Sequence, residues 1–355
     1  AVGAKKFSFY QNYVTPQIFG AKADGITDDT EAVQEAFNSG KYIYFPSGIY
    51  KVTSQLTIAK PCKISMYKPY PCTWGADYPL NEEDIYMGAR IETYATDGYG
   101  LLIGDGVEID GLYMRAMDSF NGVLFKFDGT LGHSTYPSQV RLSHIVLDNN
   151  SIYTVPESMF DFVPTGTYFH LLDDITIGSL RGRQFCEYGF RSIMTTTDGN
   201  WCNSVRIRNL CIDILADYPL YIEGGARGAE NWVFENPSIQ TYPYNVNDET
   251  YIGKSGHIDI VTMKNMQNPL ILGGDIYDLH AASYGRVFNV ENTETISCYG
   301  SNKWDEIDTN LAGKLQKASD NLNISMLDMS VETDGTTGNS TLILRDRTRE
   351  KCGIA

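Results

Sequence analysis

Apolar residues alternate with polar or small ones in short runs that recur along most of the chain. These runs begin at Val107, Val140, Ile175, Val205, Trp232, Ile258, Ile296 and Leu322, at intervals of 33, 35, 30, 27, 26, 38 and 26 residues. Alternation with a period of two predicts strands with one buried face. Its return at this spacing predicts one solenoid rather than a row of independent domains. A second pattern runs in phase with the first. At Tyr99, Asn121, Tyr188, Tyr218, Asn268 and Tyr284 a Gly, or at two of them a Pro, follows and an apolar strand comes next. Two strand types per period are what a coil with several faces requires. The inward residues of such a coil are buried only by its neighbours, which stack at about 4.8 Å. Longer loops are expected at 67–90, 128–139, 148–168 and 240–256.

Before the repeats, residues 15–50 read TPQIFGAKADGITDDTEAVQEAFNSGKYIYFPSGIY. Asp24-Gly25 predicts a turn, and Thr27 or Asp28 is placed to cap a helix. That helix would bury Ala32, Val33, Ala36 and Phe37 on one side and stop at Ser39-Gly40. A strand at Tyr42 to Phe45 and a turn at Pro46-Ser47-Gly48 follow. The segments IFGAKADGITDDTEAVQEA and FPSGIY resemble the N-terminal signature of the pectate-lyase-like right-handed β-helix superfamily. Ile18 departs from it, standing where that family usually has Asp. The resemblance implies an all-β, right-handed, single-stranded parallel β-helix with a short N-terminal capping helix. It makes Asp24, Asp28 and Asp29 structural parts of the cap. The expected division is a capping segment at 1–40, the β-helix at 41–300 and a C-terminal cap or exit segment at 301–355. Within the last, 302–321 reads as a short helix over the solenoid end, 330–340 as a polar, Gly-rich stretch, and Thr341 to Leu344 as a strand.

Composition narrows the function. The chain of 355 residues is 42% hydrophobic, enough for a real core, and carries 28 basic against 44 acidic residues, a net charge of -16. That balance argues against nucleic acid and anionic lipid as partners. No run of 18 apolar residues would cross a membrane, and the N-terminus has no apolar leader-like stretch. Seven cysteines lie singly, without CxxC or a Cys/His cluster, so free thiols are expected and no metal or cofactor is. Among enzymes of the resembled superfamily are phage tailspikes and bacterial or plant glycan-degrading proteins. The resemblance therefore implies a phage tailspike or tail-fibre module that binds and cleaves a bacterial surface polysaccharide. It implies a homotrimer in the virion tail, with other tail proteins as further partners. A secreted bacterial lyase or hydrolase and a non-catalytic glycan-binding adhesin are the alternatives.

No GxSxG, HExxH, Walker or GxGxxG motif is present, and His133, His144, His170, His257 and His280 are scattered. Chemistry must then come from carboxylates, Arg and aromatics. Aligning Glu187-Tyr188-Gly189 with Asp217-Tyr218-Pro219 one coil later stacks Glu187 and Asp217 at about 5 Å as surface turn residues. Two carboxylates so close repel, the setting for one acid and one carboxylate, as glycoside hydrolysis needs. The same alignment stacks Arg191 on Tyr221 and turns Tyr221 and Glu223 outward, with Leu220 and Ile222 inward. Arg191 is then a candidate to grip the carboxylate of an acidic sugar, and Tyr221 to stack on a pyranose. Glu223 joins Glu187 and Asp217 as a catalytic candidate. Asp198, Trp201 and Arg227, in neighbouring loops, join Arg191 and Tyr221 in binding substrate.

Overall fold

Left-handed backbone positions set the corners of the coil. Nine-residue strands at Glu108–Ala116, Arg141–Asn149, His170–Gly178 and Val205–Asp213 each bend at one residue of positive φ: Gly111, His144, Asp174 and Asn209. Gly, Asn and Asp adopt that conformation at the least expense, and here they align from rung to rung. His144 is the exception by residue type; its Nδ1 lies 2.8 Å from Asp110 Oδ1 on the preceding rung. The computed structural model describes residues 13–69, 88–131, 140–150, 155–164, 170–178, 185–194, 202–225, 228–241, 258–278, 285–291, 293, 295–299, 323–326, 329–333 and 340–344.

One coil illustrates the path. It runs from Leu215–Glu223 through Ala229–Glu230, then Val233–Glu235 and Ser238–Thr241, and returns at Ile258–Lys264. Among the described residues, stacking of such coils gives an 18-stranded, an eight-stranded and a three-stranded sheet. The pairings there are parallel except in a terminal antiparallel pair of turns, Asn323–Met326, Met329–Thr333 and Ser340–Leu344. The chain is a right-handed parallel β-helix, the hand that parallel crossovers adopt. The parallel stack extends to Asn323–Met326, which pairs with Thr295–Tyr299.

The core is made of like residues stacked on like. In the eight-stranded sheet Leu101, Phe125, Phe160, Phe190, Leu220 and Val261 form an inward column. Phe125, Phe160 and Phe190 meet ring on ring at 4.9 and 5.0 Å, a contact worth about 0.5–1.5 kcal/mol beyond its area. At the N-terminal end, the helix Thr30–Asn38 buries Ala32, Val33, Ala36 and Phe37 as expected. Its cap position is Asp29, later than the Thr27 or Asp28 read from the sequence. The Asp29 carbonyl accepts the first helical N–H, from Val33 at 2.9 Å, but its side chain does not cap the helix; the carboxylate accepts the backbone N–H groups of Lys22 and Ala23 at 2.7 and 2.9 Å. Asp28 instead takes the N–H of Thr30 at 3.0 Å.

Three details of the repeat reading are corrected. The third run is in register from His170, which pairs with Val205, and Ile175 pairs with Leu210. Ile258–Lys264 belongs to the eight-stranded sheet and Leu270–Leu272 to the long one, the reverse of the two repeats as read. Asn268 with Pro269 resembles Tyr218 with Pro219, but Asn268 turns left-handed (φ 52°) into the long sheet. A Pro dipeptide marks a corner without saying which. Thirdly, the expected loop at 148–168 contains the strand Ser158–Val163 of the eight-stranded sheet, while the polar stretch at 330–340 begins within the strand Met329–Thr333. The expected helix at 302–321 lies outside the described residues, as do most residues of the expected loops at 67–90, 128–139 and 240–256. No helix among the described residues is long and apolar enough to cross a membrane.

Candidate functional site

The outer face of the eight-stranded sheet carries the column Leu102, Lys126, Asp161, Arg191, Tyr221 and Thr262, each one rung from the next. Gly189 shapes the middle of it. A Cβ there would lie 2.5 Å from the Pro219 carbonyl oxygen and 3.2 Å from Ile212 Cγ2. Only glycine lets residue 189 turn inward, and that bend brings Tyr188 to the same outer side as Arg191.

Three tyrosines form a platform there. Tyr188 and Tyr218 stack at 5.1 Å with planes 18° apart. Tyr221 meets them edge-on at 5.4 and 5.6 Å. The Tyr221 hydroxyl donates to Glu223 Oε2 at 2.6 Å, and Lys264 Nζ lies 5.7 Å from the Tyr221 ring centre. Burial, then the hydrogen bond to Glu223, pushes the Tyr221 phenol well up from its ordinary value, so it stays a donor. Burial, then the nearby charge of Glu187, pushes Tyr188 up to about 12.

Arg191 sits beside this platform with its guanidinium 4.7 Å from the Tyr188 ring centre. Its Nε donates to Asp161 Oδ1 at 2.8 Å, Nη2 donates to the other oxygen, and Nη1 donates to Glu157 Oε1 at 2.7 Å. Asp161 is only 5% exposed. The fork is therefore occupied by the protein's own carboxylates, against the expectation that Arg191 would grip an acidic sugar. Asp161 stands on the rung before Arg191, a pairing that the Tyr-Gly alignment did not reach.

A second column adds a correction. Ser158, Tyr188 and Tyr218 are in register, so Glu157, Glu187 and Asp217 precede them on three successive rungs, about 4.8 Å apart. Glu157 is exposed, Glu187 half-buried and Asp217 1% exposed. Asp217 lies within a strand and places its charge near the fully buried Cys186, whose thiol burial and both acids push up. It is not the surface turn residue expected. Both carboxylates are on neighbouring rungs, but only Glu187 and Glu157 reach the outside. Tyr221 is itself largely buried, at 9%, because its ring is covered by the other tyrosines. Leu220 and Ile222 point inward and Glu223 stays half-buried on the outer side. Asp198, Trp201 and Arg227 lie outside the described residues. Among the described residues no cluster of three metal-ligating side chains occurs, and Cys62 and Cys211 are free thiols.

Residues 17–65 match the rhamnogalacturonase A/epimerase, pectate lyase-like family model. A stretch of 69 residues, 17% of this chain, is 39% identical to the capsule K30/K69-specific depolymerase of Klebsiella phage K64-1 and covers 9% of that protein. In structure the chain is similar to tailspike protein 2 of the Escherichia coli O157:H7 bacteriophage CAB120. That match has a TM-score of 0.50 and 16% identity, and covers 82% of this chain and 34% of the tailspike. The chain thus resembles pectate-lyase-like β-helices and phage tailspikes, and spans only a minor part of each relative. At that identity the structural likeness bears on the fold.

Proposed function

We propose that this chain is the β-helical body of a phage tailspike that binds and cleaves a bacterial surface polysaccharide along the outer face of its eight-stranded sheet. The observation that carries the reading is the Tyr188–Tyr218–Tyr221 platform rimmed by Glu157, Glu187 and Glu223. Tyrosine faces stack on the C–H faces of a sugar ring while their hydroxyls bond its polar edge. Carboxylates at the rim supply the acid and base that glycosidic cleavage needs. Glu187 and Glu223 take these roles, with Tyr221 orienting Glu223 through its hydroxyl. Asp217, enclosed one rung from Glu187, acts through Glu187 rather than on substrate. Hydrolysis is favoured over elimination. A lyase must neutralise a uronate carboxylate with a cation, and Arg191 is already held by Asp161 and Glu157. Asp198, Trp201 and Arg227 are retained as substrate-binding candidates from the adjoining loops. The assembly that fits is a homotrimer in the virion tail.

An adhesin without turnover is the second reading, favoured by the internal hydrogen bonds that engage Glu157 and Glu223. Incubation with capsular polysaccharide, followed by reducing-end assay and glycan-binding measurement, separates the two. Glu187→Gln and Glu223→Gln are expected to lower turnover by about 100-fold each while glycan binding is retained. Binding by the unaltered protein with no new reducing ends supports the adhesin. Products that absorb as unsaturated uronates overturn hydrolysis.

A further inference from the structure

On the outer face of the long sheet, Arg141, Leu171, Arg206 and Val233 hold matched positions on four successive rungs. Long cationic side chains alternate with short apolar ones. The two arginines, about 9.6 Å apart at their backbones, wall a floor of Leu171 and Val233. Ser204 and Asn231, both left-handed at φ 67° and 56°, make the adjoining corner. The result is a pocket of about 420 Å³.

Its charge runs against that of the whole molecule. Among the described lining residues there are two arginines and no carboxylate, in a chain of net charge -16. Glu108, on the rung before Arg141, is taken by Lys63 at 2.8 Å. Arg206 touches Glu235 through Nε at 3.2 Å, and its side chain is 58% exposed. Arg141 is exposed and has no ion pair among the described residues.

We infer that this pocket is a second carbohydrate site, separate from the tyrosine face, and that it takes a sugar bearing an anionic group, carboxylate or phosphate. The apolar floor accepts the C–H face of a pyranose. A planar guanidinium matches carboxylate and phosphate oxygens in pairs, which a neutral sugar does not offer. The pocket stands whether or not the tyrosine face cleaves glycan.

Titration calorimetry or saturation-transfer NMR with glucuronate, glucose 6-phosphate and methyl glucoside tests it. At least one acid is expected to bind with a Kd of about 1 mM, about tenfold or more tighter than methyl glucoside, and to weaken in about 0.5 M salt. Preference for glucuronate assigns the carboxylate as the natural group, and preference for glucose 6-phosphate assigns the phosphate. Arg141→Gln and, separately, Arg206→Gln are expected to weaken acid binding about tenfold without shifting the thermal midpoint. Tyr218→Ala, which removes one ring of the tyrosine platform, leaves acid binding intact, which separates this site from the tyrosine face. Equal binding of methyl glucoside, no acid binding at millimolar concentration, or unchanged affinity in both arginine variants overturns the inference.

Discussion

His170 ties stability to pH. It lies on the inward side of the long sheet, 1% exposed, with its ring edge-on to Phe127 at 5.6 Å and to Phe162 at 5.4 Å. Neither ring nitrogen has a hydrogen-bond partner among the described residues. Burial pushes the imidazole down from 6.5 to about 4, because the charged form loses its hydration among phenyl rings. The folded chain therefore binds this proton only below about pH 4, and the unfolded chain binds it below about 6.5. Between the two the unfolded state holds more protons, so stability is complete above pH 6.5 and declines as pH falls toward 4. The full difference is worth about 3 kcal/mol, and about 2 kcal/mol of it is lost by pH 5. Urea unfolding at pH 8 and pH 5 of the protein and of His170→Leu, which keeps the volume and removes the titration, isolates this contribution. Every other titratable group is common to both proteins, so the comparison cancels it. The variant is expected to lose about 2 kcal/mol less between the two pH values. Parallel losses would refute the assignment of a neutral, unsolvated imidazole to this position.

Two further outcomes are expected. Arg115 and Asp148 are both buried on adjacent rungs, with Arg115 Nε and the Tyr113 hydroxyl donating to Asp148 Oδ2 at 2.7 and 2.9 Å. Asp148→Leu is expected to lower unfolding free energy by about 3 kcal/mol by leaving the buried arginine only Glu92, at 3.8 Å, as a carboxylate partner, while Arg115→Met with Asp148→Leu recovers much of it; calorimetric melting of the three chains checks this. Gly189→Ala is expected to destabilise by about 1–3 kcal/mol as its Cβ meets the Pro219 carbonyl, and to weaken glycan binding by displacing Tyr188; thermal melts and affinity measurements on one sample test both.

Register decides what the sequence made legible. Tyr188 and Tyr218 sit in like dipeptides 30 residues apart, and the coil between them is short, so the neighbours Arg191 and Tyr221 follow directly and are found paired. The capping helix was legible for a related reason, since a 3.6-residue period names its own buried face. What escaped was of two kinds. Partners set by a rung without the Tyr-Gly pattern were missed. Ser158 replaces the tyrosine on that rung, so neither Glu157 nor Asp161 lines up with Arg191 in the sequence, and an arginine already bonded to two of the protein's own carboxylates reads as one awaiting substrate.

The other kind concerns depth. Strand alternation assigns a side to each residue where the pleat is regular, and fails at a bend. Gly189 and Pro219 interrupt the ladder, with 188 pairing 218 and 190 pairing 220 but no pair between them. On the far side of that bend the parity no longer transfers, and Glu187 and Asp217, equivalent by spacing, differ in exposure although both rungs share the bend. The same bend brings Tyr188 and Tyr218 to the outer face beside Tyr221. The Tyr-Gly and Tyr-Pro dipeptides that read as surface turns are thus bends within strands, and they assemble the aromatic platform. A regular strand would have turned Tyr188 into the core, in line with Phe190, and left Arg191 without the ring on which it rests.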